Sequence, residues 1–309
     1  MSVECHGRFF QVPLTRWIVC GLLLCSCMSA VAADRLVVYA VNYPLAYFAE
    51  RIGGVHVEVH FPAPAGIDPA FWMPNAETVA GYQGADLVLL NGAGYARWVE
   101  RVSLPRRKLV DTSQSFSGSY IQVTEGVKHQ HGPDGEHAHA GTAFTTWLDF
   151  NQAALQAGQV AAALSRQRPE HADAFNENLQ HLQEELLQLD ARMQAVAAAQ
   201  PGLPLLASHP VYQYLARRYG LQLRSVTWEP DVQPDDSSWR ELQSMLERQA
   251  SHWMLWEDNP HMETRKGLEQ LGVQTVLFRP AMNRPARGDF MTVMQANIEA
   301  LAVAFDASD

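Results

Sequence analysis

Short apolar runs alternate with helical spacing along the first half of this 309-residue chain. Leu36 to Val41, Val55 to Phe61 and Asp86 to Leu90 read as strands, with helical patterns from Pro44 to Ile52 and Asn75 to Tyr82 between them. The second half repeats the rhythm. Leu203 to Ala207, Leu221 to Thr227, His252 to Trp256 and Thr275 to Phe278 are strand-like, interleaved with helices at Val211 to Tyr219, Asp236 to Gln249, Glu263 to Leu271 and a final one from Asp289 to Phe305. This βαβ succession predicts an α/β protein of two lobes, each with a mainly parallel sheet flanked by helices.

Between the halves, Ala153 to Gln200 is rich in Ala, Gln, Leu and Glu, and Phe175, Leu179, Leu182, Leu186 and Leu189 recur at three- and four-residue steps. Such spacing predicts an amphipathic helix that starts anew after Pro169. About 30 residues at 1.5 Å rise give a rod on the order of 45 Å long. The expected organisation is an N-terminal lobe over 34–152, a linking helical segment over 153–200 and a C-terminal lobe over 201–309. A long rigid helix joining two lobes limits hinge motion, so closure should be small.

The first 33 residues stand apart. Arg8 and Arg16 precede an apolar run from Trp17 to Met28, and Ala30-Val31-Ala32-Ala33 offers small residues for a signal peptidase. Residues 1–33 therefore read as an export signal peptide and the mature chain as periplasmic. Leu24-Cys25-Ser26-Cys27 loosely matches a lipoprotein-processing box, which keeps a lipid anchor at Cys27 as the minor alternative. All four cysteines lie in this leader, so the mature chain has no disulfide framework. Removing the leader leaves 21 basic against 32 acidic residues, an acidic balance that argues against nucleic acid as a partner.

Candidate chemistry concentrates in a few places. His129-Gln130-His131-Gly132-Pro133-Asp134-Gly135-Glu136-His137-Ala138-His139 packs four imidazoles and two carboxylates into eleven residues, a chelating loop broken by Gly and Pro. Ser208-His209-Pro210 falls at a predicted strand end, as does Trp256-Glu257-Asp258-Asn259-Pro260-His261, and α/β folds place ligands at the carboxyl ends of strands.

Further segments carry a resemblance. Gly66-Ile67-Asp68-Pro69-Ala70, Ala85-Asp86-Leu87-Val88 with Asn91-Gly92, Thr145-Thr146-Trp147-Leu148-Asp149, and Ser208-His209-Pro210 followed by Arg217-Arg218-Tyr219-Gly220-Leu221 are similar to the landmarks of solute-binding proteins of zinc and manganese ABC importers. The resemblance covers nearly the whole mature chain. It implies two lobes on a helical strut, a divalent ion held between them, and delivery to a permease of the inner membrane. The family's ligand set is altered here. Ala70 and Thr145 stand where histidines are expected, and Arg279, before Pro280, stands where an acidic ligand is usual; only His209 is retained. Alanine offers no donor, a threonine hydroxyl is a poor zinc ligand and a guanidinium repels the ion.

The replacement site expected from these residues has His139 and His209 as principal ligands, with Glu257 and His137 added. His129, His131, His261 and Asp149 are accessory candidates. Glu257 could instead orient His209, and plainer alternatives stand beside most of these: solvated loop for the histidine tract, core or capping role for His209, helix cap for Glu257, surface position for His261. Phe71, Trp72, Trp147, Trp228, Trp239 and Trp256 crowd the expected cleft, most of them as core or lobe-interface packing; Phe71 and Trp72 could enclose something larger than an ion, and Arg279, Arg284 and Arg287 would suit an anionic group, so a paralogue carrying a metal chelate or metallophore is the runner-up. An adhesion protein is a third class that no residue calls for. No Gly-x-Ser-x-Gly elbow, His-Glu-x-x-His helix or phosphate-cradling loop occurs, so a non-enzymatic binding protein is expected. Zinc is the favoured cargo, with manganese or iron open, and a monomer is expected.

Overall fold

The computed structural model describes residues 1–4, 7, 35–123, 128–130, 136–138 and 141–306, of which 128–130 and 136–138 are described by their backbone. The predicted leader, apart from residues 1–4 and 7, lies outside that set. From Arg35 onward the chain forms one unit containing both sheets.

The first sheet is built from β1 (Leu36–Ala40), β2 (Val57–His60), β3 (Leu87–Leu90) and β4 (Leu109–Asp111), with α1 (Tyr43–Gly53) and α2 (Ala76–Gly84) as crossovers. All pairings are parallel, in the order β2-β1-β3-β4. The side chains of Leu36, Val38 and Ala40 are buried while Val37 and Tyr39 keep partial exposure, the period of two that a pleated strand imposes. β4 escaped the hydrophobic reading because it has three residues and is reached through short 3-10 turns rather than a full helix.

The second sheet repeats this plan. β9 (Pro204–Ala207), β10 (Gln222–Ser225), β11 (Trp253–Trp256) and β12 (Gln274–Leu277) pair in parallel in the order β10-β9-β11-β12, with α5 (Gln213–Tyr219), α6 (Asp236–Arg248), α7 (Met262–Gln270) and α8 (Phe290–Asp306) around them. In both sheets the order reverses beside the first strand, so the switch points fall between β1 and β3 and between β9 and β11. Crevices at the carboxyl ends of such strand pairs are where open α/β sheets bind ligands.

Between the sheets run α3 (Phe150–Gln167) and α4 (Ala172–Ala199), the latter 28 residues long. They break at Arg168, whose φ of −134° and ψ of 72° lie outside the helical region that a following proline disfavours. Phe175, Leu182, Leu186, Leu189 and Met193 form the buried stripe of α4. Polar residues fix the rod to both lobes. Glu185 accepts two hydrogen bonds from Arg51 of α1, at 2.8 and 2.9 Å. Five residues on, Asp190 accepts 3.0 and 2.6 Å bonds from Arg218 of α5 and 2.9 Å from the Tyr219 hydroxyl.

The segment holding the histidine tract leaves and re-enters at one point. β5 (Gln122–Val123) pairs antiparallel with β8 (Gly141–Thr142), and within the tract β6 (Lys128–Gln130) pairs with β7 (Glu136–Ala138), setting His129 opposite His137 along the backbone. Among the described residues, no helix is long and apolar enough to cross a membrane.

Candidate functional site

At the switch point of the first sheet the available positions are occupied by a closed amide network. Asn42, just after β1, donates to Asn91 Oδ1, just after β3, at 3.1 Å, and also caps α1 by accepting from Leu45 N. Asn91 Oδ1 accepts from Gln156 Nε2 as well, and Asn91 Nδ2 donates to the Phe144 carbonyl at 2.8 Å. Next to it, Gly92 has φ of 73°, and a Cβ there would run into Asp111 and Ser113, so only glycine fits. This end is a scaffold, with its polar groups satisfied by one another.

The second switch point carries the titratable groups. His209 follows β9 and Glu257 follows β11, so the topology alone brings the two chain segments together. The loop at His209 is held by backbone bonds from Ser208 N to the Leu255 carbonyl (2.8 Å), Trp228 N to the Ser208 carbonyl (2.7 Å) and Val211 N to the His209 carbonyl (3.0 Å). His209 is 2 % exposed. Its Nδ1 lies 3.7 Å from Glu229 Oε1, supplied by the loop after β10.

Glu257 retains some accessible surface at the floor of the crevice, yet desolvation dominates its titration: burial, then the carboxylates of Asp68 and Glu229, push its pKa up to about 8. Asp68 belongs to the first lobe, where its Oδ1 accepts from Ala70 N at 2.8 Å and its carbonyl accepts from Phe71 N and Trp72 N. Its charge reaches Glu257 across the crevice and also helps burial hold the Tyr95 hydroxyl far above its ordinary pKa. Like charges facing one another in a desolvated cleft are what a cation would neutralise.

Sequence reading had not singled out Glu229 or assigned Asp68 a place among the charges. The signal for Glu229 was available: Glu229-Pro230 closes the stretch after β10 and so lies on the same carboxyl edge as His209 and Glu257.

The altered positions have other occupations. Ala70 is 6 % exposed and packs its methyl into the core. Thr145 donates its hydroxyl to the Val211 carbonyl, spanning the lobes. The Arg279 guanidinium turns to Asp258 at 3.0 Å, while its backbone is fixed in both directions by Asn297. Arg284 pairs with Glu50 at 3.1 Å and lies over the Tyr43 ring, so neither arginine is an idle anion receptor. Trp147 is fully buried and donates to the Pro280 carbonyl, and Trp228, Trp239 and Trp256 pack in a second apolar cluster, so these rings serve packing.

Two accessory candidates are placed elsewhere. Asp149 caps α3, accepting from Asn151 N and Gln152 N at 3.1 Å, and stands 3.8 Å from Arg218. His261 caps α7 through Nδ1, which accepts from Glu263 N and contacts Gln233 Nε2 on the surface. His131 and His139 lie outside the described residues, as do the side chains of His129 and His137. What is described of that segment is its base. Val123 and Thr142 share a small pocket with Phe71, Phe144, Thr145, Pro210 and Val211, so the tract is rooted directly beside the His209 loop. Among the described residues no group of three or more His, Cys, Asp or Glu is spaced to hold a metal ion.

Comparison with known proteins gives the same architecture. The fold superposes on the zinc(II)-bound AdcA of Streptococcus pneumoniae with a TM-score of 0.75 at 20 % identity, over 88 % of this chain and 58 % of that one. In sequence, the zinc-binding lipoprotein AdcA of S. pneumoniae strain R6 is 24 % identical over 305 residues, 94 % of this chain, which spans only 60 % of that relative's length. The manganese ABC transporter substrate-binding lipoprotein PsaA of S. pneumoniae is 26 % identical over 241 residues, covering 74 % of this chain and 73 % of its own. Residues 38–304 match the family of periplasmic zinc-uptake complex component A, and the chain belongs to that family of metal ABC transporter solute-binding proteins.

Proposed function

We propose that this protein captures a divalent transition metal ion between its lobes and delivers it to an ABC permease in the inner membrane, acting as an exported, monomeric periplasmic carrier. The observation that carries the reading is that His209 and Glu257 follow neighbouring strands at the switch point of the second sheet, where the Asp68 carboxylate of the first lobe also acts on Glu257. A buried imidazole among carboxylates suits zinc, iron or manganese, and zinc is the favoured cargo. His209 and Glu257 supply the fixed half of the site. His137 and His139 supply the other half, from a segment whose base lies beside Pro210, and His129 and His131 gather ions at the surface.

Capture and release follow from the charges. An arriving dication displaces the proton that Glu257 holds near neutral pH and relieves its repulsion with Asp68 and Glu229. Binding therefore releases protons, and acidification favours release.

The test is metal content and calorimetric stoichiometry of the mature protein beside His209→Ala and a His137→Ala/His139→Ala double variant. One tight site lost in both variants is the expected result. Loss in the double variant alone would reduce the tract to a metal sponge and leave the crevice empty. A wild-type protein that ignores free ions but takes up a metal chelate would replace this reading by the metallophore carrier.

A further inference from the structure

The separation between His209 and Glu229 is informative in itself. At 3.7 Å, Nδ1 and Oε1 are too far apart for a hydrogen bond, which would draw them to about 2.7–3.0 Å. They are at the spacing of two donor atoms sharing one ion: with metal–nitrogen and metal–oxygen distances of about 2.1 Å, a 3.7 Å edge subtends about 120° at the metal. The Glu229 side chain is 22 % exposed and that of His209 3 %, so both are held by the protein rather than waving in solvent.

We propose that Glu229 is a direct ligand of the cargo ion, chelating it together with His209 Nδ1, and that this pair from the second lobe takes over coordination that Ala70, Thr145 and Arg279 do not provide. The inference rests on the importer reading above and adds a residue to its site.

Three observations support it. Glu229 is positioned by backbone that the fold fixes on both sides: Trp228 N donates to the Ser208 carbonyl at 2.7 Å and the Pro230 carbonyl accepts from His261 N at 2.7 Å. The chelate edge therefore does not depend on a free loop. Charge balance also fits, since a neutral imidazole with Glu229 and Glu257 cancels a dication and leaves Asp68 to face it from the opposite lobe. Finally, the Tyr95 hydroxyl on the first-lobe side is buried with no hydrogen-bond partner among the described residues, and it senses Asp68. A buried hydroxyl in that state calls for a partner such as a water or an ion.

The rival role for Glu229 is orientation: it would accept a hydrogen bond from His209 Nδ1–H while Nε2 held the ion, the familiar carboxylate–histidine–metal arrangement. The two roles place the imidazole proton on opposite nitrogens. Nitrogen-15 NMR of the zinc-loaded mature protein distinguishes them, with zinc expected on Nδ1 of His209 and the proton on Nε2. In parallel, zinc affinity is compared for wild type and Glu229→Gln, with the melting curve of the metal-free variant as a check on folding. Direct ligation predicts a loss of more than roughly 100-fold, beyond the 10–100-fold that follows loss of an orienting partner. The cobalt(II) spectrum should change as the coordinated oxygen is lost. Metal on Nε2, or a Glu229→Gln protein that binds zinc as tightly as wild type, overturns the ligand assignment and leaves the importer reading intact. A wild-type protein that binds neither zinc nor cobalt overturns both.

Discussion

Glu257 is the residue whose physics is most exposed to measurement. Its folded pKa of about 8 lies above the ordinary 4.5, so the metal-free native state holds a proton that the unfolded chain has released. Stability contributed by that proton is complete at and below the unfolded pKa and is lost as pH rises through the folded one. The metal-free protein is therefore expected to melt at progressively lower temperature from about pH 5 to pH 8. Glu257→Gln should flatten this slope and raise the melting temperature at pH 8, by about 2–4 °C for each kcal/mol recovered. A slope that survives the substitution would assign it to other carboxylates. Zinc affinity should run the opposite way, rising with pH over the same interval. Ala70 yields the complementary prediction. Its nitrogen is fixed by Asp68 and its methyl packs into the core at 6 % exposure, so Ala70→His overpacks that site and is expected to cost about 1–3 kcal/mol in urea unfolding. Thr145→His should cost stability as well, because the threonine hydroxyl is committed to the Val211 carbonyl in a site 1 % exposed.

Among the elements, those that hydrophobic periodicity could reveal were legible in advance, and those that it could not were missed for identifiable reasons. Every predicted strand and helix from Leu36 to Phe305 has a counterpart, including the restart after Pro169, because each buries a face long enough to leave a period in the sequence. β4 was missed since three residues define no period. At the site, His209, Glu257 and, before Pro230, Glu229 were all readable as residues following a strand, but the nearness of Glu229 to His209 required the strand order that brings the end of β10 beside β9. The side-chain contacts of the strut were equally hidden: Glu185 and Asp190 look like ordinary charged positions on an amphipathic helix, yet each receives an arginine from a different lobe. Asp190→Asn tests their weight. Breaking a fully buried ion pair costs about 3–5 kcal/mol, and since Arg218 keeps 30 % exposure the expected loss is nearer ~2 kcal/mol in urea unfolding. An unchanged midpoint would show that Asp149, 3.8 Å from the same arginine, takes over the pairing.

For the whole molecule, the contacts between lobes set how far it can move when an ion arrives. Trp147 Nε1 donates to the Pro280 carbonyl, the Tyr214 hydroxyl to the Ala143 carbonyl, Tyr43 N to the Met282 carbonyl, and Asn283 Nδ2 to the carbonyls of Pro64 and Ile67, all across the boundary or along its rim. Opening a hinge would break several of these at once; the bonds of Trp147 and Tyr214 are buried, each worth about 1 kcal/mol net and more if a partner is left stranded, while those of Asn283 are exposed and weigh less. The contacts proposed for the ion are local to the crevice, so on that reading binding favours neither a wide-open nor a newly closed state by enough to offset that loss. The change in radius of gyration on adding zinc, read by small-angle X-ray scattering, should accordingly stay below about 1 Å, as in preorganised complexes. Trp147→Phe removes the donor to Pro280 while keeping an aromatic ring, and should leave a larger zinc-dependent change than wild type shows. A large contraction in the wild-type protein would mean that the helical strut bends and that these hydrogen bonds exchange partners during capture, and release to the permease would then proceed by reopening rather than by protonation of the site.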